Sequence, residues 1–381
     1  MMLSDGLNPT LLLVRPHPLD DELLSSWVIR LATANALKLK TFSRKKLGLP
    51  HDIWRRDVDQ FANVKMVSHL AKLTGTPVER AFLTTLAAYE GSLYEKHTAR
   101  GQQRWLLAVG KGSAWLLHGQ QYCPLCLATD PIPYFRRRWR LSLSFACLEH
   151  SVLLMDNCPR CKAPISFHGG DFHSLSLPDK PPMTSCCHCG TEWRHMVSCL
   201  TQIPQKLLIT QEKIYRVLNE NHPLLGRQQP IFPHLFFDGL HLLLRALCSN
   251  GHTRRLRDYL CHEAGTESYT TPFRTPLIRF DELRVGERAP LLEMALGLLA
   301  DWPHRFLASC RLAHLSSTYL LDYRKASPAP YWYASAIEWN LNKTLYRPCE
   351  AEKEAIRQYL RRRWLPEGAN SVNRWLGTYF T

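Results

Sequence analysis

The chain has 381 residues, thirteen cysteines and a formal net charge of +15. That length suits two or three domains with real cores, and no apolar run approaches the ~18 residues a membrane span needs. The basic excess favours a polyanionic partner, nucleic acid or an assembly carrying it, over a basic surface that serves solubility alone.

Residues 1–19 read as an extended arm, because Pro9, Pro16 and Pro18 block helix there. The apolar stretch Leu11–Val14 is short and ends at Arg15-Pro16, so it does not read as a signal peptide. The cysteines are therefore expected in a reducing, cytoplasmic compartment, which favours metal binding over disulfides. Asp20 is a good helix N-cap, with Asp21 and Glu22 in the positive first turn. Leu23, Leu24, Trp27, Val28 and Leu31 then recur at helical spacing as far as about Asn35. A short helix is predicted after Thr41, stopping at Gly48 and exposing Arg44, Lys45 and Lys46. Another covers Val64 to Leu73 and closes at Gly75. The next begins with Thr76 as N-cap, Pro77 in the first helical position and Glu79 returning the capping bond. Two helices joined by a tight glycine turn resemble a helix-turn-helix, although many helical bundles contain the same turn. Residues 91–122 are mixed, with a strand or helix through Arg104–Leu107.

The organising stretch runs from Cys123 to Cys189. Four ligand pairs stand at knuckle spacing: Cys123 with Cys126, Cys147 with His150, Cys158 with Cys161, and Cys186 with Cys189. A two-residue gap lets one tight turn aim both side chains at one ion, and zinc takes four such ligands in a tetrahedron. The simplest pairing is sequential, with one set from Cys123, Cys126, Cys147 and His150 and a second from Cys158, Cys161, Cys186 and Cys189; sequence alone does not exclude a cross-brace with the pairs interleaved. With every position filled by protein the two zinc ions are expected to be structural, since a catalytic site keeps a vacancy. Buried free thiols are the plainer alternative, and four pairs in one short window argue against it. Cys187 competes with Cys186 but lacks the two-residue spacing to Cys189, and His168 and His173 are spare residues of the proline-broken loop.

Between the first two pairs lies Tyr134-Phe135-Arg136-Arg137-Arg138-Trp139-Arg140. Arginines interleaved with aromatics suit phosphate contact and stacking. The structural alternative is a charged outer segment whose Phe135 and Trp139 pack inward.

From Gln202 onward the pattern is helical. Leu207, Leu208, Ile214, Tyr215 and Leu218 mark one helix, Phe236–Leu247 another, and Leu291–Leu299 a third, with a polar linker expected over 264–288. A helix over 352–362 ends in a cluster of Arg357, Arg361, Arg362 and Arg363. Pro366-Glu367-Gly368 turns the chain, and Ser371 caps a last short helix, giving a second helix-turn-helix candidate whose basic face is either a binding surface or a solvated one. The fold class read from these patterns is mainly α. An N-terminal helix-turn-helix domain takes residues 1–121, a tandem zinc-binding domain of zinc-ribbon type 122–200, and a helical domain 201–381.

These residues together resemble the TniQ/TnsD family, target-selection proteins of heteromeric cut-and-paste transposons. The resemblance is carried by Arg15-Pro16, Asp21–Trp27 and Arg30-Leu31-Ala32, by Leu73-Thr74-Gly75-Thr76, and most densely by Tyr122–Cys126, Tyr134–Arg140, Cys147 with His150, and Cys158–Cys161. Phe236–Leu240 and Asp301–Phe306 match more loosely, and Cys147-Leu-Glu-His150 departs from the basic residue the family more often has before its histidine. The resemblance implies a bacterial adaptor that neither cuts nor joins DNA. It implies recruitment of an AAA+ ATPase regulator of the TnsC type. The adaptor marks its site either by reading DNA or, in shorter members, by docking, often as a dimer, on an RNA-guided Cascade complex. The length tilts the reading toward the shorter, Cascade-linked type. Two other classes compete: a stand-alone sequence-specific DNA-binding regulator, and a zinc-dependent nuclease. No carboxylate cluster at magnesium-site spacing and no zinc set with a vacancy supports the nuclease.

Overall fold

The computed structural model describes residues 11–49, 54, 56–109, 119–166, 183–220, 223–225, 229–267, 279–321, 329–342 and 348–376. The chain is mainly helical and divides into two compact units. One comprises residues 1–219 with 281–290, the other 220–280 with 291–381.

In the first unit the helices are α1 (Leu24–Ala34), α2 (Leu39–Leu47), α3 (Val58–Phe61), α4 (Val64–Thr74), α5 (Val78–Phe82), α6 (Pro124–Thr129) and α7 (Gln205–Asn219). Strands β1 (Ala146–Cys147) and β2 (Val152–Leu153) form an antiparallel hairpin, with Ala146 opposite Leu153 and Cys147 opposite Val152. The N-terminal helices and the Cys/His block, expected as separate domains, lie in this one unit. Their backbones and cores interlock. The Leu23 amide donates to the Phe135 carbonyl at 2.9 Å, and Glu22 bridges antiparallel to Arg136. Trp27, Trp105, Trp139 and Trp193 are fully buried, and Phe135 meets Trp139 and Trp193 edge-on.

Helix α1 starts at Leu24, later than the predicted cap at Asp20, and has no side-chain cap. The acidic residues before it are engaged elsewhere. Glu22 is buried and accepts from Arg30 Nε at 2.7 Å and from the Ser26 hydroxyl at 2.9 Å. Asp21 adopts a left-handed backbone (φ 56°) and accepts from Arg138. The predicted capping of α5 by Thr76 also fails: that hydroxyl instead meets Thr74 Oγ1 at 2.9 Å and His17 Nδ1 at 2.8 Å. Gly75 does turn the chain between α4 and α5 with φ 64°, as its position predicts. Yet α5 spans only Val78–Phe82, it exposes Val78, Phe82 and Leu83, and its Arg80 donates to the Pro18 carbonyl. A DNA-reading helix needs several polar side chains aimed at base edges; the five-residue α5 carries two, Glu79 and Arg80, and the glycine turn alone does not establish such a helix.

The second unit holds β3 (Leu224–Leu225) antiparallel to β4 (Gln229–Pro230) and the helices α8 (Pro233–Cys248) and α9 (Arg254–Glu263). Helix α10 (Val285–Leu299) gives its residues beyond Pro290 to this unit. Then come α11 (His304–Leu312), α12 (Ser317–Leu320), α13 (Tyr331–Leu341), α14 (Glu350–Arg362) and α15 (Ala369–Trp375). Its core joins the two sequence motifs noted above. Trp302 packs on Phe306 at 4.9 Å and edge-on to Trp332 at 4.8 Å. The Trp332 ring lies where a Cβ on Gly239 would stand, 2.0 Å from its Cζ2, so only glycine fits there.

The polar linker expected over 264–288 is partly outside the described residues, and its end is structured. Helix α10 begins at Val285, and Arg288 within it is fully buried. Ser371 lies inside α15 and does not cap it.

Candidate metal centres and the arginine segment

The eight predicted ligands fall into two groups, paired sequentially. Cys123, Cys126, Cys147 and His150 form one, and Cys158, Cys161, Cys186 and Cys189 the other, with the ligand atoms of each within 4.8 Å of one another.

Local structure explains the first group. Cys123 precedes α6, whose first residue is Pro124, and the opening turn of that helix brings Cys126 to the same side. Cys147 ends β1, and the hairpin turn to β2 carries His150, with Ser151 left-handed at φ 56°. An antiparallel bridge between Tyr122 and Met155 closes the two halves. Cys126 Sγ lies 3.5 Å from Cys147 Sγ, and His150 Nδ1 lies 3.7, 3.4 and 3.5 Å from the sulfurs of Cys123, Cys126 and Cys147.

The second group is built from two matching knuckles. The Lys162 amide donates to the Cys158 carbonyl and the Gly190 amide to the Cys186 carbonyl, both at 2.9 Å. In each knuckle the residue after the second cysteine is left-handed, Lys162 at φ 60° and Gly190 at φ 67°. Isolated bridges Asn157–Pro164 and Ser185–Glu192 flank the turns. Sulfur separations are 3.7 Å for Cys158–Cys189 and 3.6 Å for Cys161–Cys186. Cys187 is exposed, and it is Cys186 whose sulfur stands with those of Cys158, Cys161 and Cys189. His168 and His173 lie outside the described residues.

These distances test the fit. Zinc–sulfur bonds of about 2.3 Å and zinc–nitrogen bonds of about 2.0–2.1 Å give tetrahedral edges of roughly 3.8 Å between sulfurs and 3.6 Å between sulfur and nitrogen. Both groups have those dimensions, so a divalent soft-ligand metal fits each. The electrostatics agree. Hydrogen bonds from Cys123 and Cys126 hold the Cys147 thiol far below its usual range, while contacts with Cys123 and Cys147, together with burial, push Cys126 up. Thiols crowded in this way gain from a cation that takes up their negative charge. The first group is mostly buried, whereas Cys161 of the second is exposed.

The arginine segment does not have the geometry expected of a phosphate-binding face. Phe135 and Trp139 pack inward, and Arg137–Arg140 form one turn of 3₁₀ helix. Arg140 is fully buried. It donates to Asp59 at 3.1 Å, forms a closer pair with Asp57, and donates to the Leu107 carbonyl at 2.9 Å. Arg136 forks onto Asp130 through bonds of 3.0 and 2.9 Å and lies over the rings of Tyr134 and Trp139. Arg137 sits over Tyr89 with Asp21 beside it, and Arg138 pairs with the same Asp21. Of these, Arg140 has no surface to offer a phosphate, and the other three are already paired with carboxylates. Sequence reading missed those acidic partners because Asp21, Asp57, Asp59 and Asp130 stand at no regular spacing from the arginines. Arg44, Lys45 and Lys46 are exposed on α2, and Arg361, Arg362 and Arg363 are exposed at the end of α14.

Arg288 was also missed. It is fully buried and donates to the carbonyls of Ser142, Ser144 and Leu283 and to the Gln121 side chain. With the Val285 amide on Asp156 at 2.9 Å, it fastens residues 281–290 to the chain around the first Cys/His group. Burial lowers its pKa to about 10, and the carbonyl oxygens around it satisfy the guanidinium donors.

A comparison with protein-family models matches residues 13–154 to the family described as TniQ. No curated protein matches the chain.

Proposed function

We propose, since the chain belongs to the TniQ family through residues 13–154, that it is a non-catalytic target-site adaptor of DNA transposition. The family match implies a transposition-associated role in target selection or DNA binding. The finer reading is that the chain links a target-bound complex, such as RNA-guided Cascade, or target DNA itself, to an AAA+ regulator of the TnsC type. A homodimer is part of this reading.

The observation that carries it is the matched segment itself, residues 13–154, which runs from the N-terminal helices through the first Cys/His group and ends at β2. In our reading two zinc ions per chain fill the two groups. Four protein donors close each set, so the metals brace a scaffold and do not activate water. The brace is needed because β1 and β2 are two residues each, too short to hold a hairpin alone. The runner-up, a stand-alone sequence-specific DNA reader, is weakened by the brevity of α5, which is five residues long. The test is co-purification of the full chain with the AAA+ regulator and with a Cascade complex. Association with the regulator, with no DNA cleavage by the chain alone, is the expected result. Tight sequence-specific DNA binding without any association with an AAA+ protein would overturn the adaptor reading and favour the runner-up.

A further inference from the structure

Helix α14 ends on a corner with an unusual residue. The Trp364 amide donates to the Arg361 carbonyl at 3.1 Å and the Leu365 amide to the Leu360 carbonyl at 3.0 Å. Those two bonds make the glycine-type helix stop, in which the residue after the C-cap is left-handed. Here that residue is Trp364, at φ 55°. A left-handed backbone costs a residue with a Cβ roughly 1–2 kcal/mol, and the indole gains nothing from packing because it is 95% exposed. The fold is therefore served better by glycine than by tryptophan at this position.

The surroundings are cationic. Arg362 has no carboxylate partner among the described residues, and Arg363 lies over the Tyr359 ring at 5.0 Å. Arg361 pairs with Glu367 at 2.7 Å, but both side chains are largely exposed, and such a pair exchanges readily for another anion. A basic last turn also complements the helix dipole; that accounts for the arginines and leaves the indole unexplained. The corner is rigid, since Leu360 and Val372 are buried where α14 meets α15 and Tyr359 packs on Trp375 at 5.1 Å.

We propose that this corner is a docking surface for a single strand of nucleic acid. The Trp364 indole stacks on an unpaired base while Arg362 and Arg363 meet the flanking phosphates. A duplex hides its base faces within the stack, so only an opened strand can use the face of a fully exposed indole. This goes beyond the adaptor reading and does not depend on it, because it concerns a different segment from the matched one.

The test measures binding of the full chain to a labelled oligothymidine, an oligouridine of equal length, and a mixed-sequence duplex. Trp364→Gly is expected to leave the melting temperature unchanged or raised, because glycine suits the left-handed position. The same change is expected to weaken single-strand binding about 5- to 150-fold, the range of one lost base stack, and to leave duplex binding alone. Trp364→Phe is expected to restore part of the loss. Arg362→Gln with Arg363→Gln is expected to lower the slope of log K against log salt by about 1.4 on the single strand. The comparison of oligothymidine with oligouridine tells whether the strand is DNA or RNA, and either has the same chemistry. Single-strand binding unaltered by Trp364→Gly, an equal loss on duplex, or no single-strand binding by the native chain would each overturn the proposal.

Discussion

Arg140 separates two readings of the arginine segment, and its replacement decides between them. In Arg140→Met the pairs with Asp57 and Asp59 and the bond to the Leu107 carbonyl all disappear, inside a site where Arg140 is fully buried. Removing one partner of a buried ion pair costs about 3–5 kcal/mol, because the remaining charge loses its compensation. For a unit of this size that corresponds to a fall in melting temperature of roughly 6–20 °C. Ser25 continues to donate to Asp59 from its amide at 2.7 Å and its hydroxyl at 2.9 Å, which keeps the loss toward the lower end. The pH dependence follows from Asp59. Burial pushes its carboxyl up to about 7 even with Arg140 beside it, and the variant raises it further. A raised carboxyl pKa stabilises the fold at low pH, and that stability is lost as pH rises through the folded value. The deficit of the variant is therefore expected to be larger at pH 8 than at pH 6.5. Adding Asp59→Asn should recover part of it by removing the orphaned charge. Calorimetry on the metal-loaded protein reads all three. A variant that melts like the native chain but binds nucleic acid with a reduced salt slope would refute the structural role and restore the phosphate-contact reading.

Three further outcomes are expected. Mass spectrometry of the native chain should find two zinc ions; a chelator should remove them in two phases, the one held by Cys158, Cys161, Cys186 and Cys189 leaving first because Cys161 is exposed, and a single phase would deny that difference. Gly239→Ala places a Cβ 2.0 Å from the Trp332 ring, so it should destabilise the second unit by about 1–3 kcal/mol and shift tryptophan emission; unchanged emission and melting would contradict the close approach. Exposed Arg44, Lys45 and Lys46, replaced together by glutamine, should lower the salt slope of duplex binding by up to about 2.7 if α2 faces phosphates, with no change in melting; an unaltered slope assigns them to solvent.

Much of the candidate site was legible from residue types and spacing. A two-residue gap between ligands is a local property, and local geometry made each pair chelate from one turn: Cys123 and Cys126 at the start of α6, Cys158 and Cys161 in a knuckle closed by Lys162. The stripe of α1 and the glycine stops at Gly48 and Gly75 were readable for the same reason, since burial periodicity and left-handed backbone depend only on near neighbours. Which pair joined which was not settled by the spacing, which leaves a cross-braced pairing open; the bridge between Tyr122 and Met155, which sets the β1–β2 hairpin beside the start of α6, goes with the sequential grouping. The fate of the arginines was equally hidden. A guanidinium on a phosphate and one on a buried carboxylate look alike in sequence, and the difference lay in Asp57 and Asp59, brought to Arg140 from more than eighty residues away. Charge is a property of a residue, whereas exposure is a property of the packed chain, so composition fixed the first and tertiary structure alone fixed the second.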